Sequence, residues 1–283
     1  MIDLKTHYPW SGKKKKPLRP FKYLVRFTLT VFAVSFLLVV VLRWLPPPTS
    51  AFMLQQYLLE RWDGRNDVKI RYKWVNRHGI SPHAALAVIV AEDQKFPYHW
   101  GFDREAIVEA WEERREGTRI RGASTISQQV AKNLFLWPGK SFVRKGIEAY
   151  FTVLIEVLWS KSRIVEVYLN IAQFGRGIFG ISEASKVFFD KAPSRLSRKE
   201  CALMAAALPN PLRLRIDRPS DYLRQRSDQI LEEMGRMGRI NLSASFLQWV
   251  SLTNCRPEGI EVVSKLYIIP KYKAWADEKT QHT

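Results

Sequence analysis

Glu92 closes a run of eight apolar residues, Ala84 to Ala91, and opens the polar segment EDQKFPYHWGFD at 92–103. A carboxylate at such an edge is partly desolvated, which raises its pKa and makes it a stronger base near neutral pH. The competing reading is that Glu92 and Asp93 are a solvated helix end. Phe96 and His99 follow in the same segment. No partner stands at ligand spacing from His99, so it reads as a packed or hydrogen-bonding histidine rather than a metal ligand.

A second polar group lies in RIRGASTISQQVAKNLFLW at 119–137. On a helix beginning near Ser124, the residues Ser124, Gln128 and Lys132 recur every four positions and share one face. A hydroxyl, an amide and an ammonium in a row suit a sugar that bears a phosphate, and a helix N-terminus attracts anions. Ile126, Val130 and Leu134 supply the opposite, buried face; an ordinary amphipathic helix with a polar outer side fits the same pattern. In GKSFVRKGIEAY at 139–150, Lys140, Arg144 and Glu148 are again one turn apart. On an open surface such an Arg–Glu pair contributes a few tenths of a kcal/mol. In a cleft it would hold a carboxylate ionised beside cations that bind phosphate. In KSRIVEVYLNIAQFGRGIFG at 161–180, Glu166 and Asn170 share a face with Arg163, and for Glu166 a helix-stabilising pair is the favoured reading.

These residues need a scaffold, and its signals are helical. Helices are expected over Ala51–Trp62, from Ser81-Pro82 through the apolar run to Glu92, and over Arg104–Glu116, Ser124–Phe135 and Phe142–Trp159. Further ones are expected over Lys161–Asn170, Ile178–Phe189, Ser197–Leu208 and Asp221–Met237. Gly117, Gly122, Pro138-Gly139, Gly175-Arg176-Gly177 and Pro209-Asn210-Pro211 punctuate them. Asp67 to Trp74 reads as extended, and strand signals are otherwise sparse. The stretch Tyr150–Trp159 reads as core, with contact to lipid as the alternative. The fold class expected is mainly α.

The chain has 283 residues and a net charge of +18, which raises the question of nucleic acid. The charge distribution answers it. Residues 1–26 hold eight Lys and Arg against Asp3 alone, and the uncharged stretch Phe27–Leu42 follows directly. Leu24 to Leu45 is just long enough to span a bilayer, and cations on its N-terminal side place that end in the cytoplasm. An uncleaved anchor is preferred over a signal peptide because the basic region is long and Pro46-Pro47-Pro48 follows the span. The organisation expected is a basic tail at 1–23, a span at 24–45, a linker and short helix at 46–64, one domain at 65–240 and an extension at 241–283. The two cysteines, Cys201 and Cys255, make no disulfide framework.

Each polar segment is weak alone, but EDQKF, GASTISQQVAKNLFL, RKGIE and YLN in this order, followed by ALPNPLRL at 207–214, resemble the motifs of the peptidoglycan glycosyltransferases. This is the polymerase module also found in bifunctional penicillin-binding proteins. The resemblance covers roughly residues 80–215. It implies a lysozyme-like helical domain that extends a glycan strand from lipid II, with Glu92 as general base and Glu148 as a second carboxylate that orients groups around the donor. Lys132 and Lys140 fall where the family places cations near the leaving pyrophosphate, although Lys140 is often Arg in relatives. Ser124, Thr125, Gln128 and Gln129 would line the donor site. Asp93, Phe96, His99, Asn133, Arg144, Lys145, Lys161, Arg163 and Asn170 complete the substrate-binding set. No cofactor is required by the resemblance. A divalent cation, Mg or Mn, is allowed at the pyrophosphate, but the sequence holds no dedicated ligand cage. The partners implied are lipid II, the nascent strand and the bacterial inner membrane, with the domain on the periplasmic side. Other cell-wall synthesis or division proteins are compatible with this setting, and nucleic acid is not.

A transpeptidase would need Ser-x-x-Lys and a downstream KTG. The only Ser-x-x-Lys is Ser11 to Lys14, and Lys279-Thr280 is followed by Gln281, so a monofunctional enzyme is expected. Two other readings stand beside it: a lytic enzyme that cleaves glycan on a similar fold, which the phosphate-facing cations argue against, and an inactive membrane scaffold.

Overall fold

The computed structural model describes residues 20–62, 64, 69–115, 124–139, 141–238 and 242. The expectations placed on Lys13–Lys16, Gly117, Gly122, Lys140, Cys255 and the extension at 241–283, Leu242 apart, lie outside the described residues.

Helix α1 (Pro20–Leu42) is the one described helix long and apolar enough to cross a membrane, and almost none of it is buried by protein. Helix α2 (Ala51–Trp62) follows, then strand β1 (Arg71–Tyr72). Helix α3 (Pro82–Glu92) starts with proline in its first turn, as the sequence indicates. Ser81 takes the N-cap position, but its hydroxyl donates to the Leu196 carbonyl (2.9 Å) instead of capping. Helix α4 spans Arg104–Arg115, α5 Ile126–Phe135, α6 Phe142–Leu158 and α7 Lys161–Ile171. Strands β2 (Gln173–Gly175) and β3 (Ile178–Phe179) form a small hairpin, and β1 joins β3 in parallel. Helices α8 (Gly180–Phe189), α9 (Arg198–Ala207) and α10 (Asp221–Met237) complete the domain.

An α-helix that is apolar all round must be central. Accordingly α3 buries Ala84, Ala87, Val88, Ile89 and Val90, and packs against α7, α9 and α10. Helix α5 turns Ile126, Val130 and Leu134 into the same core. Each such Ile, Val or Leu stabilises the fold by roughly 1.5–3 kcal/mol relative to exposure. The fixed position of α3 matters for chemistry, because its last residue is Glu92.

The stretch at 150–159 is divided. Ile155 and Trp159 are buried, whereas Val153 and Val157 are exposed. Tyr150 and Trp159 meet α1: the Tyr150 hydroxyl pairs with Ser35 (2.8 Å), its ring stacks edge-on to Phe32, and Trp159 donates to the Val39 carbonyl (2.8 Å). Arg163 closes this joint by donating to the carbonyls of Leu42 (3.0 Å) and Leu45 (2.7 Å), where α1 leaves its last carbonyl groups unpaired.

The hairpin was not legible as strand because each strand is only two or three residues long. Its turn into α8 depends on Gly180, which has φ +77°. A Cβ there would lie 2.5 Å from the Asn170 carbonyl oxygen, a backbone atom that cannot swing away. We predict that Gly180→Ala destabilises the domain by about 2–3 kcal/mol and lowers its Tm by roughly 5–10 °C. Thermal unfolding of the purified variant checks this.

Candidate active site

Asp93 and Thr125 do the local work that places the base. Thr125 caps α5 in a capping box: its side chain accepts from the Gln128 backbone N–H, and the Gln128 amide oxygen accepts from the Thr125 N–H (3.0 Å). Thr125 also donates to the Gly101 carbonyl (2.7 Å). The buried Asp93 carboxylate accepts from the Ile126 N–H (2.9 Å) at the start of α5 and pairs with His99 Nε2 (2.8 Å). These bonds pin the end of α3 to the beginning of α5.

Glu92 therefore faces α5. Its Oε2 accepts from Gln129 Nε2 at 2.7 Å, and the buried Tyr168 hydroxyl reaches the Gln129 amide oxygen at 3.4 Å from α7. Burial pushes the Glu92 carboxyl above the ordinary glutamate value, and the neighbouring Asp93 adds to this. The Gln129 hydrogen bond, then Arg226 and Lys132, oppose the rise by favouring the carboxylate. Burial also pushes Tyr168 well up, with the charges of Glu92 and Asp93 acting in the same sense, so it stays a neutral donor.

Two cavities meet at this point. The smaller, about 320 Å³, is lined by Gln129, Lys132, Asn133, Arg144 and Tyr168, with Phe52 and Gln55 of α2 on another wall. The larger, about 930 Å³, is lined by Glu92, Asp93, Ser124, Thr125 and Arg226. Pro209 belongs to both, and the Glu92–Gln129 bond joins them. The surface that Lys132 exposes faces a recess, not open water, so burial lowers its pKa; Arg144 and Lys145 reinforce this while Glu148 and Glu92 oppose it. Glu148 is buried on α6 and held by Arg144 (2.9 Å) and by Lys145. The Arg144 Nε is buried and has no hydrogen-bond partner among the described residues.

The structure brings Glu92, Asp93, Ser124, Thr125, Gln129, Lys132, Asn133 and Arg144 to the two cavities, with Glu148 and Lys145 immediately behind Arg144. The row of Ser124, Gln128 and Lys132 along one helix face does not form. The helix begins two residues after Ser124, and Gln128 turns inward to complete the capping box. Phe96 is fully buried, with the Lys161 ammonium 4.4 Å from its ring centre. Lys161 donates to the His99 carbonyl (2.6 Å) and to Glu156 (2.8 Å), which also takes the Ser127 hydroxyl; this buried group supports the loop at 93–101 from beneath. Arg163 and Asn170 line neither cavity. Arg163 holds the end of α1 and pairs with Glu166 (2.8 Å), and Asn170 clamps the Val75 backbone through both N–H and carbonyl (2.9 Å each).

Sequence reasoning missed Arg226 and Tyr168. Tyr168 sits in the YLN segment, two residues before Asn170. Arg226 approaches the Ala91 carbonyl (3.4 Å) from α10, 135 residues further along the chain, and no local pattern connects the two.

Among the described residues, one desolvated carboxylate stands beside recesses lined by Lys132, Arg144 and Arg226, an arrangement suited to a sugar-transferring enzyme on a lysozyme-like helical domain. The sequence model of the Transglycosylase family matches residues 60–235, and the chain belongs to that family. It is 47% identical over 224 residues to the biosynthetic peptidoglycan transglycosylase of Shewanella oneidensis, covering 79% of this chain and 95% of that protein. The protein of the same name from Pasteurella multocida is 49% identical over 84% of this chain and 97% of its own length. That from Klebsiella oxytoca is 54% identical over 68% of this chain and 80% of its own.

Were Glu92 the general base that the motif resemblance implies, activity would be full above its pKa and fall as pH drops through it. Removing a nearby cation raises that pKa further. Arg226→Gln is therefore expected to move the acid limb of kcat/KM to higher pH, and Arg226→Lys to leave it near the wild-type position. A pH–rate profile of the three proteins measures this.

Proposed function

We propose that this enzyme polymerises peptidoglycan glycan strands from lipid II, with the growing strand as donor. The observation that carries the proposal is the Glu92–Gln129 hydrogen bond at the junction of two cavities, one of them lined by Lys132 and Arg144. The donor's pyrophosphate lies among those cations. The acceptor occupies the larger cavity, where its N-acetylglucosamine 4-hydroxyl meets Glu92.

Glu92 takes the proton of that hydroxyl as its oxygen bonds to the donor's anomeric carbon. The bond from this carbon to the pyrophosphate oxygen breaks in the same displacement. Undecaprenyl pyrophosphate leaves with the bonding pair, and attack from the opposite face turns the α-linkage into β. The leaving group departs as a stabilised anion, so Lys132 and Arg144 replace the protonated carboxylic acid that a glycosidase needs. Glu148 keeps Arg144 and Lys145 in place. Its oxygens are already engaged by them, and among the described residues no three His, Cys, Asp or Glu converge on a metal position.

In this reading α1 anchors the chain in the inner membrane. Lys22 and Arg26 at its N-terminal end support a cytoplasmic N-terminus and a periplasmic catalytic domain. Glu92→Gln is expected to lower polymerisation at least a hundredfold while leaving lipid II binding within a few-fold of wild type, the range for loss of a general base. Incubation with lipid II followed by sizing of the glycan chains tests both the reaction and the base. Elongation by Glu92→Gln at the wild-type rate would refute the assignment, and release of fragments from finished cell wall would point to a lytic enzyme.

A further inference from the structure

Helix α2 is apolar on both sides: Met53 is buried and Phe52 packs on the core, yet the outward face is apolar too. On a domain surrounded by water, an amphipathic helix turns its polar face outward and its apolar face to the core. Three polar residues of α2 face the protein: Gln55 donates to the Leu136 carbonyl (2.7 Å), Gln56 accepts from Gln173 (2.9 Å), and Glu60 pairs with Arg176 (2.8 Å). Its outer face, at helical spacing, is Leu54, Tyr57, Leu58 and Trp62, with Trp62 90% exposed. Such a stripe is not left in water without cause.

The position of this face identifies what covers it. Only eight residues, 43–50, separate α2 from the end of α1. Within them Trp44 and Leu45 are exposed and carry apolar surface from one helix toward the other. Two basic residues accompany this surface: Arg43 lies over the Trp44 ring (5.2 Å), and Arg61, within the stripe by helical spacing, lies over Tyr57 (5.9 Å) on a stem long enough to carry its charge to the headgroups. Trp, Tyr and Arg beside an apolar stripe are the side chains that settle where acyl chains meet headgroups.

We propose that α2 lies in the plane of the membrane with its Leu54–Trp62 face in the lipid interface, and so sets the depth of the smaller cavity. This rests on the reading of α1 as a membrane anchor. The consequence is functional, because the opposite side of α2 supplies Phe52 and Gln55 to the wall of that cavity. The cavity mouth is thereby held at headgroup depth, and a donor on a long lipid chain enters without leaving the bilayer.

The test uses the full chain in vesicles of phosphatidylethanolamine and phosphatidylglycerol, with Cys255→Ser so that only the buried Cys201 remains. An environment-sensitive fluorophore is attached through Leu58→Cys, through Leu37→Cys in α1, or through the exposed Lys199→Cys on α9. Expected are quenching at 58 mainly by lipids carrying a nitroxide near the headgroup, at 37 by lipids carrying it deep in the chain, and none at 199. Quenching at 37 with none at 58 overturns the proposal and leaves the anchor standing; no quenching at either position overturns both. A blue-shifted label at 58 that no lipid quenches also overturns it, by showing that a second copy or another protein covers the face. As a second measurement, Leu58→Glu should raise the KM for a vesicle-embedded donor roughly tenfold and leave turnover of a short-chain, water-soluble donor unchanged. An equal loss on both substrates contradicts the proposal.

Discussion

A carboxylate that is to act as a base near neutral pH must lose water without losing its charge, and Glu92 stands where those two demands meet. The apolar helix α3 removes solvent and raises the pKa. Gln129, Arg226 and Lys132, from two different helices, pull it back down. Either influence alone would spoil the base. Burial without the cations would leave a neutral acid, and the cations without burial would leave an ordinary, weakly basic carboxylate.

Much of the domain can be understood as support for that balance. Asp93 and the Thr125 capping box fix where α3 ends relative to where α5 begins. Lys161, Glu156 and Ser127 brace the loop that follows α3 with a buried, hydrogen-bonded polar group. Breaking a buried pair of this kind leaves an uncompensated charge and commonly costs 3–5 kcal/mol. Several residues with the look of substrate contacts are thus structural in their geometry: they act on the substrate by fixing Glu92, Lys132 and the walls between them. Arg163 extends the same logic to α1, since it ties the end of that helix to the domain.

The helices were largely legible because their signals are local. Serine and threonine caps, proline in the first turn and apolar spacing place α2 and α10 at the residues expected and α5 within two. The site was legible only where chemistry coincides with such patterns. Glu92 at the end of an apolar run is one case. The Thr125 and Gln128 pair is the opposite case, because the same spacing that suggests a polar binding face also writes a capping box, and the backbone takes the amide. Arg226 and Arg163 find their roles through contacts more than a hundred residues away in sequence, 135 and 121 respectively, and periodicity carries no such information. The family resemblance supplied what spacing could not, by ordering the four polar segments into one site.

Burial raises the pKa of the Glu92 carboxyl, and the neighbouring cations restrain that rise. Isotope-edited infrared titration of the full-length protein, with Glu92→Gln as the subtraction control, reads that single carboxyl directly. It should protonate at a pH above the ordinary glutamate range, and at a still higher pH in Lys132→Ala. Protonation at the ordinary glutamate value, unmoved by the loss of Lys132, would contradict this.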